Sequence, residues 1–184
     1  LARWQRQWEL SVTREMPGYE DLTRRLAAGL PAVTAAAPPG GLVHGDYRLD
    51  NMLIVLGDEP RISAVVDWEM STLGDPLADV GSLLGYWTEP GDPAPLREMA
   101  LMPTTPGFAS REELVARYAE RSGRDLGDLA FHHVLGLFRL AVIAAPNSPA
   151  EMRSFDPEMV TRLLDLVSSH FDHVVFDMPR TWFS

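Results

Sequence analysis

Polar and charged side chains crowd two short segments of the chain. The first, HGDYRLDN, runs from His44 to Asn51, and the second, VVDWE, runs from Val65 to Glu69. Carboxylate and amide oxygens of this kind suit a hard cation such as Mg²⁺ when the fold brings them together. Asp and Asn also favour ordinary turns, so the first segment alone leaves a solvated turn and a reactive loop both open.

The stretch between the two polar segments predicts a β-hairpin. Met52–Leu56 and Ile62–Val66 are short apolar runs typical of strands, and a Gly-Asp-Glu-Pro turn lies between them. A hairpin brings the residues before its first strand close to the residues after its second strand. We therefore expect Asp46 and Asn51 to approach Asp67 and to form a cation site.

Helical patterns surround this hairpin. Apolar residues recur at helical spacing near the start of the chain, and N-cap signals precede later apolar stretches. The predicted helices begin near Leu1, Tyr19, Asp75, Ser110, Leu129 and Asp156, with loops at Pro31–Gly41 and Glu89–Gly107. The fold class predicted is α+β, mostly helical with a small β-hairpin that carries the two polar segments.

Composition narrows the classes of function. The chain has 184 residues, no cysteine and a formal net charge of -10, which argues against nonspecific binding of nucleic acid. The absence of cysteine favours a reducing compartment, so a cytoplasmic location is expected, and no apolar run is long enough to span a membrane. All 16 basic residues are Arg. A mechanism that needs Lys must take it from outside this chain.

The order of the motifs resembles a known family. HxDxxxxN, an apolar strand pair and then Asp-Trp-Glu and GDPLADVG look like the aminoglycoside phosphotransferase and choline kinase branch of the protein-kinase-like phosphotransferases. With the opening RWQRQWELS, the chain most resembles the kinase-like domains found with acyl-CoA dehydrogenases. The resemblance implies that residues 1–184 form a kinase-like C-terminal lobe. It also implies that the N-terminal lobe, which covers the nucleotide, is absent from this chain.

The same resemblance implies roles for four residues of the predicted cation site. Asp46 would be the catalytic base that accepts or orients the substrate hydroxyl. Asn51 and Asp67 would hold Mg²⁺ on the phosphates of ATP. Arg48 would stabilise the transferred phosphoryl group, although a plain surface Arg is an equal alternative.

Supporting roles follow for residues around that site. His44 would be a scaffold residue of its loop, and Asp79 would accept backbone N–H bonds from the same loop. An exposed helical position is the alternative for Asp79. Glu69 is either an outer residue of the metal site or simply solvated. Trp68 is expected to pack rather than to bind substrate.

The function predicted is transfer of the γ-phosphate of ATP, with Mg²⁺, to a hydroxyl of a small molecule. The expected partners are that substrate and the N-terminal lobe of the same protein. A kinase-like binding module without transfer activity and a metal-dependent phosphoesterase using His44, Asp46 and Asp67 are the alternatives. The acceptor stays open between aminoglycoside-like polycations and other hydroxylated metabolites such as hydroxyacyl-CoA. Acidic residues in the loop Glu89–Gly107 favour a cation only weakly.

Overall fold

The structure is a computed structural model that describes residues 1–11, 18–36, 40–94, 97 and 107–144. Five helices and four short strands lie in this part of the chain. In chain order they are α1 (Ala2–Ser11), α2 (Tyr19–Ala36), β1 (Gly41–Val43), β2 (Met52–Val55), β3 (Arg61–Val65), β4 (Thr72–Gly74), α3 (Leu77–Tyr86), α4 (Arg111–Ser122) and α5 (Leu129–Ala144). The predicted α+β class, helix-rich with a small hairpin, is confirmed.

Two antiparallel strand pairs hold the polar segments. Strands β2 and β3 form the predicted hairpin, with Met52 opposite Val65 and an irregularity of register after Leu53. A second pair was not predicted: β1 lies beside β4, with Gly41 opposite Gly74. This pair closes the chain around both polar segments, because the first segment follows β1 and the second precedes β4.

Helix α2 extends further than the sequence predicts. A loop was expected from Pro31, but the helix continues through this proline to Ala36. The proline ring removes one backbone donor and crowds the carbonyl four residues earlier, whereas Val33 in the following turn is buried in the main core cluster. Burial of this apolar face therefore outweighs the helix-breaking tendency of Pro31.

The core lies mainly between α1, α2 and α5. Trp8 of α1 stacks on Tyr19 of α2, with ring centroids 4.5 Å apart, and Leu22 and Leu26 pack in the same buried cluster as Phe138 of α5. A smaller buried cluster joins α3 to the start of α5. Helix α5 is therefore the central element against which the other helices pack.

Helices α3 and α5 cross almost backbone to backbone. A Cβ atom at Gly81 would lie 2.3 Å from the carbonyl carbon of His132, and one at Gly136 would lie 2.7 Å from the carbonyl oxygen of Gly81. Only glycine permits this approach, because real Cβ atoms do not come so close to backbone. The crossing fixes the position of α3, which carries Asp79 in its first turn.

Gly81→Ala is expected to lower the free energy of unfolding by about 1–3 kcal/mol, because the added methyl must push two helix backbones apart. Chemical denaturation of the purified variant measures the change. Gly57→Ala is the matched control, since a Cβ at Gly57 has nothing within 4 Å. Equal stability of the two variants would contradict the close crossing.

Helix α4 begins at the N-cap that the sequence predicts at Ser110. The Ser110 hydroxyl accepts the backbone N–H of Glu113, and the Glu113 carboxylate accepts the N–H of Ser110. The helix predicted from Asp156 lies outside the described residues. Among the helices that the structure describes, none is long and apolar enough to cross a membrane.

Candidate active site

His44 joins the two polar segments. Its buried ring accepts the backbone N–H of Asp46 at Nδ1 (3.2 Å), and its Nε2 lies 2.8 Å from the carbonyl oxygen of Val66. These two partners fit a tautomer that carries its proton on Nε2. The Trp68 ring packs on the imidazole, with centroids 4.6 Å apart. The structure thus places His44 where a scaffold residue of the loop is expected.

Asp79 of helix α3 hydrogen-bonds to the backbone of the same loop. Its Oδ2 accepts the backbone N–H of His44 at 2.7 Å, and its Oδ1 accepts that of Gly45 at 2.9 Å. Gly45 has a φ of +87°, and a Cβ there would lie 2.4 Å from the carbonyl oxygen of Met70. The loop therefore turns at a position that only glycine fits, and the turn is held by one carboxylate.

Asp46 is partly exposed and is held from two sides. The amide nitrogen of Asn51 donates to the Asp46 carbonyl oxygen (2.8 Å) and to its Oδ2 (3.1 Å). The hydroxyl of Tyr86, at the end of α3, donates to Oδ1 at 3.4 Å. The carboxylate is thus fixed in orientation and still accessible, as a base acting on a bound hydroxyl must be.

Arg48 lies against Asp46 and not out in solvent. Its Nε is 3.4 Å from Asp46 Oδ2 and 3.8 Å from Asp50 Oδ2. Its guanidinium carbon lies 5.3 Å from the centroid of the Tyr86 ring. A positive charge is therefore held beside the Asp46 carboxylate, and the role of Arg48 toward a phosphoryl group stays a prediction.

Asp67 reaches the site from the end of the hairpin. The backbone N–H of Val66 donates to the carbonyl of Asn51 at 2.9 Å, so the two segments meet as the hairpin predicts. Asp67 has φ 66° and ψ 56°, the only non-glycine residue with positive φ in the described part of the chain. Such backbones cost of order 1–3 kcal/mol and cluster at functional sites. Glu69 lies exposed on the next turn, and its metal role stays a prediction.

The side-chain oxygens of Asn51 and Asp67 are of the type that Mg²⁺ binds, and they lie on segments that a backbone hydrogen bond joins. The Asn51 amide uses its nitrogen on Asp46, and within the described residues its oxygen makes no hydrogen bond. The exposed Asp67 carboxylate has no partner there either. Mg²⁺ typically takes one or two protein oxygens and keeps water or phosphate oxygens. The described residues contain no group of three or more acidic, His or Cys ligands, so an all-protein cage is not what they offer.

Removal of the Asp79 carboxylate tests the loop architecture. Asp79→Ala is expected to lower the free energy of unfolding by about 1–3 kcal/mol for each backbone N–H left unpaired, and to abolish activity. Asp79→Asn keeps one acceptor oxygen and should lie between this variant and the wild type. Thermal and denaturant unfolding measure both effects. An unchanged melting temperature in Asp79→Ala would show that the two hydrogen bonds do not stabilise the loop.

Two residues at the site were not predicted from the sequence. Tyr86 contacts Asp46, and burial followed by the negative charge of Asp46 raises the pKa of Tyr86, so its hydroxyl stays a donor. Arg139 of α5 donates to the carbonyl of Gly45. Its position as the one charged residue in the apolar helix α5 was the available signal.

Two acidic residues of the loop after α3, Glu89 and Asp92, are paired with an arginine in the described part of the chain. Arg111 of α4 donates through its backbone N–H to Glu89 (2.8 Å) and through its guanidinium to Glu89 and Asp92. The same guanidinium caps the end of α3 by donating to the carbonyl of Trp87 at 2.7 Å. These two carboxylates therefore hold structure together, and the weak hint of a cationic substrate stays a prediction. Glu98, the third acidic residue of that loop, lies outside the described residues.

Comparison with known proteins gives the class that this fold and site define. A model of the phosphotransferase enzyme family matches residues 1–131, so the chain belongs to that family. A crystal structure of a protein from Ralstonia eutropha JMP134, described as an aminoglycoside phosphotransferase, superposes with a TM-score of 0.67 at 27% identity. The match covers 94% of this chain and 54% of that one.

Two groups of curated relatives agree with this assignment. Acyl-CoA dehydrogenase family member 11 of Mus musculus is 34% identical over 148 residues, which are 78% of this chain and 18% of that protein. Viomycin phosphotransferase of Streptomyces vinaceus is 34% identical in an alignment 123 residues long, which covers 58% of this chain and 38% of that protein. The resemblance drawn from the motifs is therefore confirmed. The chain spans only a small part of the dehydrogenase-family relatives.

Proposed function

We propose that this chain carries the base and the metal ligands of an ATP- and Mg²⁺-dependent phosphotransferase that acts on a hydroxyl of a small molecule. One observation carries the proposal. The hairpin brings Asp46, Asn51 and Asp67 to the same end, with Asp46 held in orientation and the oxygens of the other two unpaired among the described residues. Membership of the phosphotransferase family supports it.

Each residue has a separate task in this proposal. Asp46 orients the acceptor hydroxyl and takes its proton, while Asn51 and Tyr86 keep the carboxylate in place. Asn51 and Asp67 hold Mg²⁺, which when bound neutralises charge on the ATP phosphates. Arg48 lies beside Asp46, where its guanidinium would stabilise the negative charge of the phosphoryl group during its transfer from ATP to the hydroxyl. Catalysis then rests on positioning and electrostatics more than on covalent chemistry.

The other half of the nucleotide site is proposed to be the N-terminal lobe of the same protein. This chain has no Lys for the phosphates. The hairpin beside the site exposes a patch of large apolar side chains, including Leu53 (53% exposed) and Ile62 (52%), and Leu73 of β4 is 79% exposed. Patches of this kind mark interaction surfaces. A lobe packed on the patch would cover it and enclose the nucleotide.

Two proteins of different length test the need for a second lobe. Residues 1–184 alone should bind ATP poorly and release little ADP, and the longer natural protein should do both. Leu53→Asp, made in the longer protein, should weaken the contact between the lobes and move ATP affinity toward that of the isolated segment. Robust ATP turnover by the isolated segment would mean that this chain completes its own site and would favour a different metal-dependent reaction.

The acceptor and the competing activities are resolved by one screen. The full-length protein is incubated with Mg·ATP and with aminoglycosides, hydroxyacyl-CoAs and other hydroxylated metabolites, and ADP release is measured. We expect a small neutral or charged hydroxyl compound to stimulate release above the rate with water. ATP binding without stimulated release by any acceptor would favour a binding module. Phosphate release from phosphoesters without ATP would favour a phosphoesterase.

A further inference from the structure

Arg139 is a partly buried charge that the proposed chemistry does not yet use. It lies in α5, whose sequence LAFHHVLGLFRLAVIA is otherwise apolar apart from two His. Its Nη1 donates to the Ser82 hydroxyl at 2.9 Å, and its Nη2 donates to the carbonyl oxygen of Gly45. Its guanidinium carbon lies 4.9 Å from the centroid of the Trp4 ring. One side chain thus links α1, α3 and α5 to the loop that carries Asp46.

Burial disfavours the charged form of Arg139, and nearby carboxylates favour it. Burial lowers the pKa of Arg139, whereas the carboxylates of Asp46 and Asp79 act in the opposite direction. Within the described residues its Nε has no hydrogen-bond partner. A partly buried charge with one buried, unpaired donor stabilises a helix less than an apolar residue of similar size would. The arrangement is better explained by what the guanidinium does for its acidic neighbours.

The peptide that Arg139 holds is the one next to the proposed base. Asp79 fixes the N–H groups of His44 and Gly45 from one side. Arg139 fixes the carbonyl of Gly45, which belongs to the same peptide group as the N–H of Asp46. Both faces of the turn before Asp46 are therefore tied to helices, one by an anion and the other by a cation.

We infer that Arg139 is a positioning residue for Asp46: it fixes the Gly45–Asp46 peptide and places a permanent positive charge within electrostatic range of the carboxylate. This inference rests on the proposed function for its catalytic meaning. Arg139 touches neither of the proposed metal ligands among the contacts described. Its loss should therefore slow the transfer step and leave Mg·ATP binding as it was.

Three substitutions in the full-length protein separate charge from hydrogen bonding. Arg139→Lys keeps the charge, Arg139→Gln keeps a donor without charge, and Arg139→Met keeps only the stem. The matched control is Ser82→Ala, which removes a buried partner of the same guanidinium but leaves its bond to Gly45. Steady-state ADP release from Mg·ATP, with the best acceptor of the screen or with water, gives kcat and KM. Hydrogen exchange of residues 44–47 is followed in the same proteins.

Arg139→Met is expected to lower kcat by about 10- to 100-fold through misplacement of the base, with KM for Mg·ATP unchanged and faster exchange in the loop. Arg139→Lys should recover most of the lost rate, and Ser82→Ala should keep kcat near wild type. If Arg139→Met does not fold, the other two variants decide: kcat of Arg139→Lys should exceed kcat of Arg139→Gln.

Two results would overturn the inference. Wild-type kcat in Arg139→Met, or equal losses in Arg139→Met and Ser82→Ala, would make Arg139 a structural residue only. Absence of ADP release by the wild-type protein would instead count against the proposed function. In that event the exchange data decide separately, because unchanged exchange of residues 44–47 in Arg139→Met would show that the guanidinium does not hold the loop.

Discussion

Asp46→Asn is expected to lower kcat of the full-length protein by roughly 10²–10⁴-fold, the range for a positioned acid–base group, while ATP still binds. The amide keeps the shape of the carboxylate but cannot take a proton from the acceptor hydroxyl. The Asp46 carboxylate accepts hydrogen bonds from the Asn51 amide and the Tyr86 hydroxyl, and it lies 3.4 Å from Arg48 Nε. ADP release gives kcat, and calorimetric titration with Mg·ATP gives the affinity.

The matched control for this variant is Asp50→Asn. Asp50 lies in the same loop, is half exposed, and approaches Arg48 only at 3.8 Å, so its charge can be removed without disturbing the proposed base. It should keep turnover near wild type. Near wild-type turnover in Asp46→Asn, or equal losses in both variants, would remove Asp46 from the role of base.

Asp67→Ala is expected to abolish Mg²⁺-dependent nucleotide binding in the full-length protein. The exposed Asp67 carboxylate is the anionic ligand that the segment after β3 offers to Mg²⁺ in the proposed site, and neutral Ala cannot replace it. Asn51→Ala should have a smaller effect and raise the Mg²⁺ concentration needed for binding. Nucleotide affinity measured across a magnesium titration reports both changes.

The left-handed backbone at Asp67 requires a second variant. Ala tolerates this conformation poorly, whereas Asn adopts it readily, so Asp67→Asn removes the charge with the backbone retained. It should also lose most magnesium dependence. Asp58→Ala, in the turn at the far end of the hairpin, is the control for charge loss alone. Unchanged affinity in Asp67→Asn across the titration would mean that the two polar segments do not form one metal site.

Local patterns made the hairpin and its two polar segments predictable. Apolar runs on either side of the Gly-Asp-Glu-Pro turn specify the pairing of β2 with β3. That pairing alone brings Asn51 beside Val66. The capping box at Ser110 is equally local. Such features depend on residues close in sequence, so one chain without relatives is enough to find them.

Features that depend on distant contacts were missed. Strands β1 and β4 have three residues each and pair across about thirty positions, which leaves no periodic signal. Pro31 remains helical because of what Val33 contacts, and Glu89 is neutralised by an Arg from another helix. Tyr86 and Arg139 reach the loop only through the crossing of α3 and α5. Tertiary packing, and not local preference, decides each of these.

We propose that a phosphoryl group passes from ATP to a small-molecule hydroxyl held at Asp46. Phosphorus NMR of the full-length protein with Mg·ATP and the acceptor found by the screen tests this transfer in the wild type and in Asp46→Asn. We expect one phosphomonoester for each ADP in the wild type, loss of both products without Mg²⁺, and their near absence in Asp46→Asn. Inorganic phosphate as the sole product, or equal phosphomonoester formation in the two proteins, would contradict it.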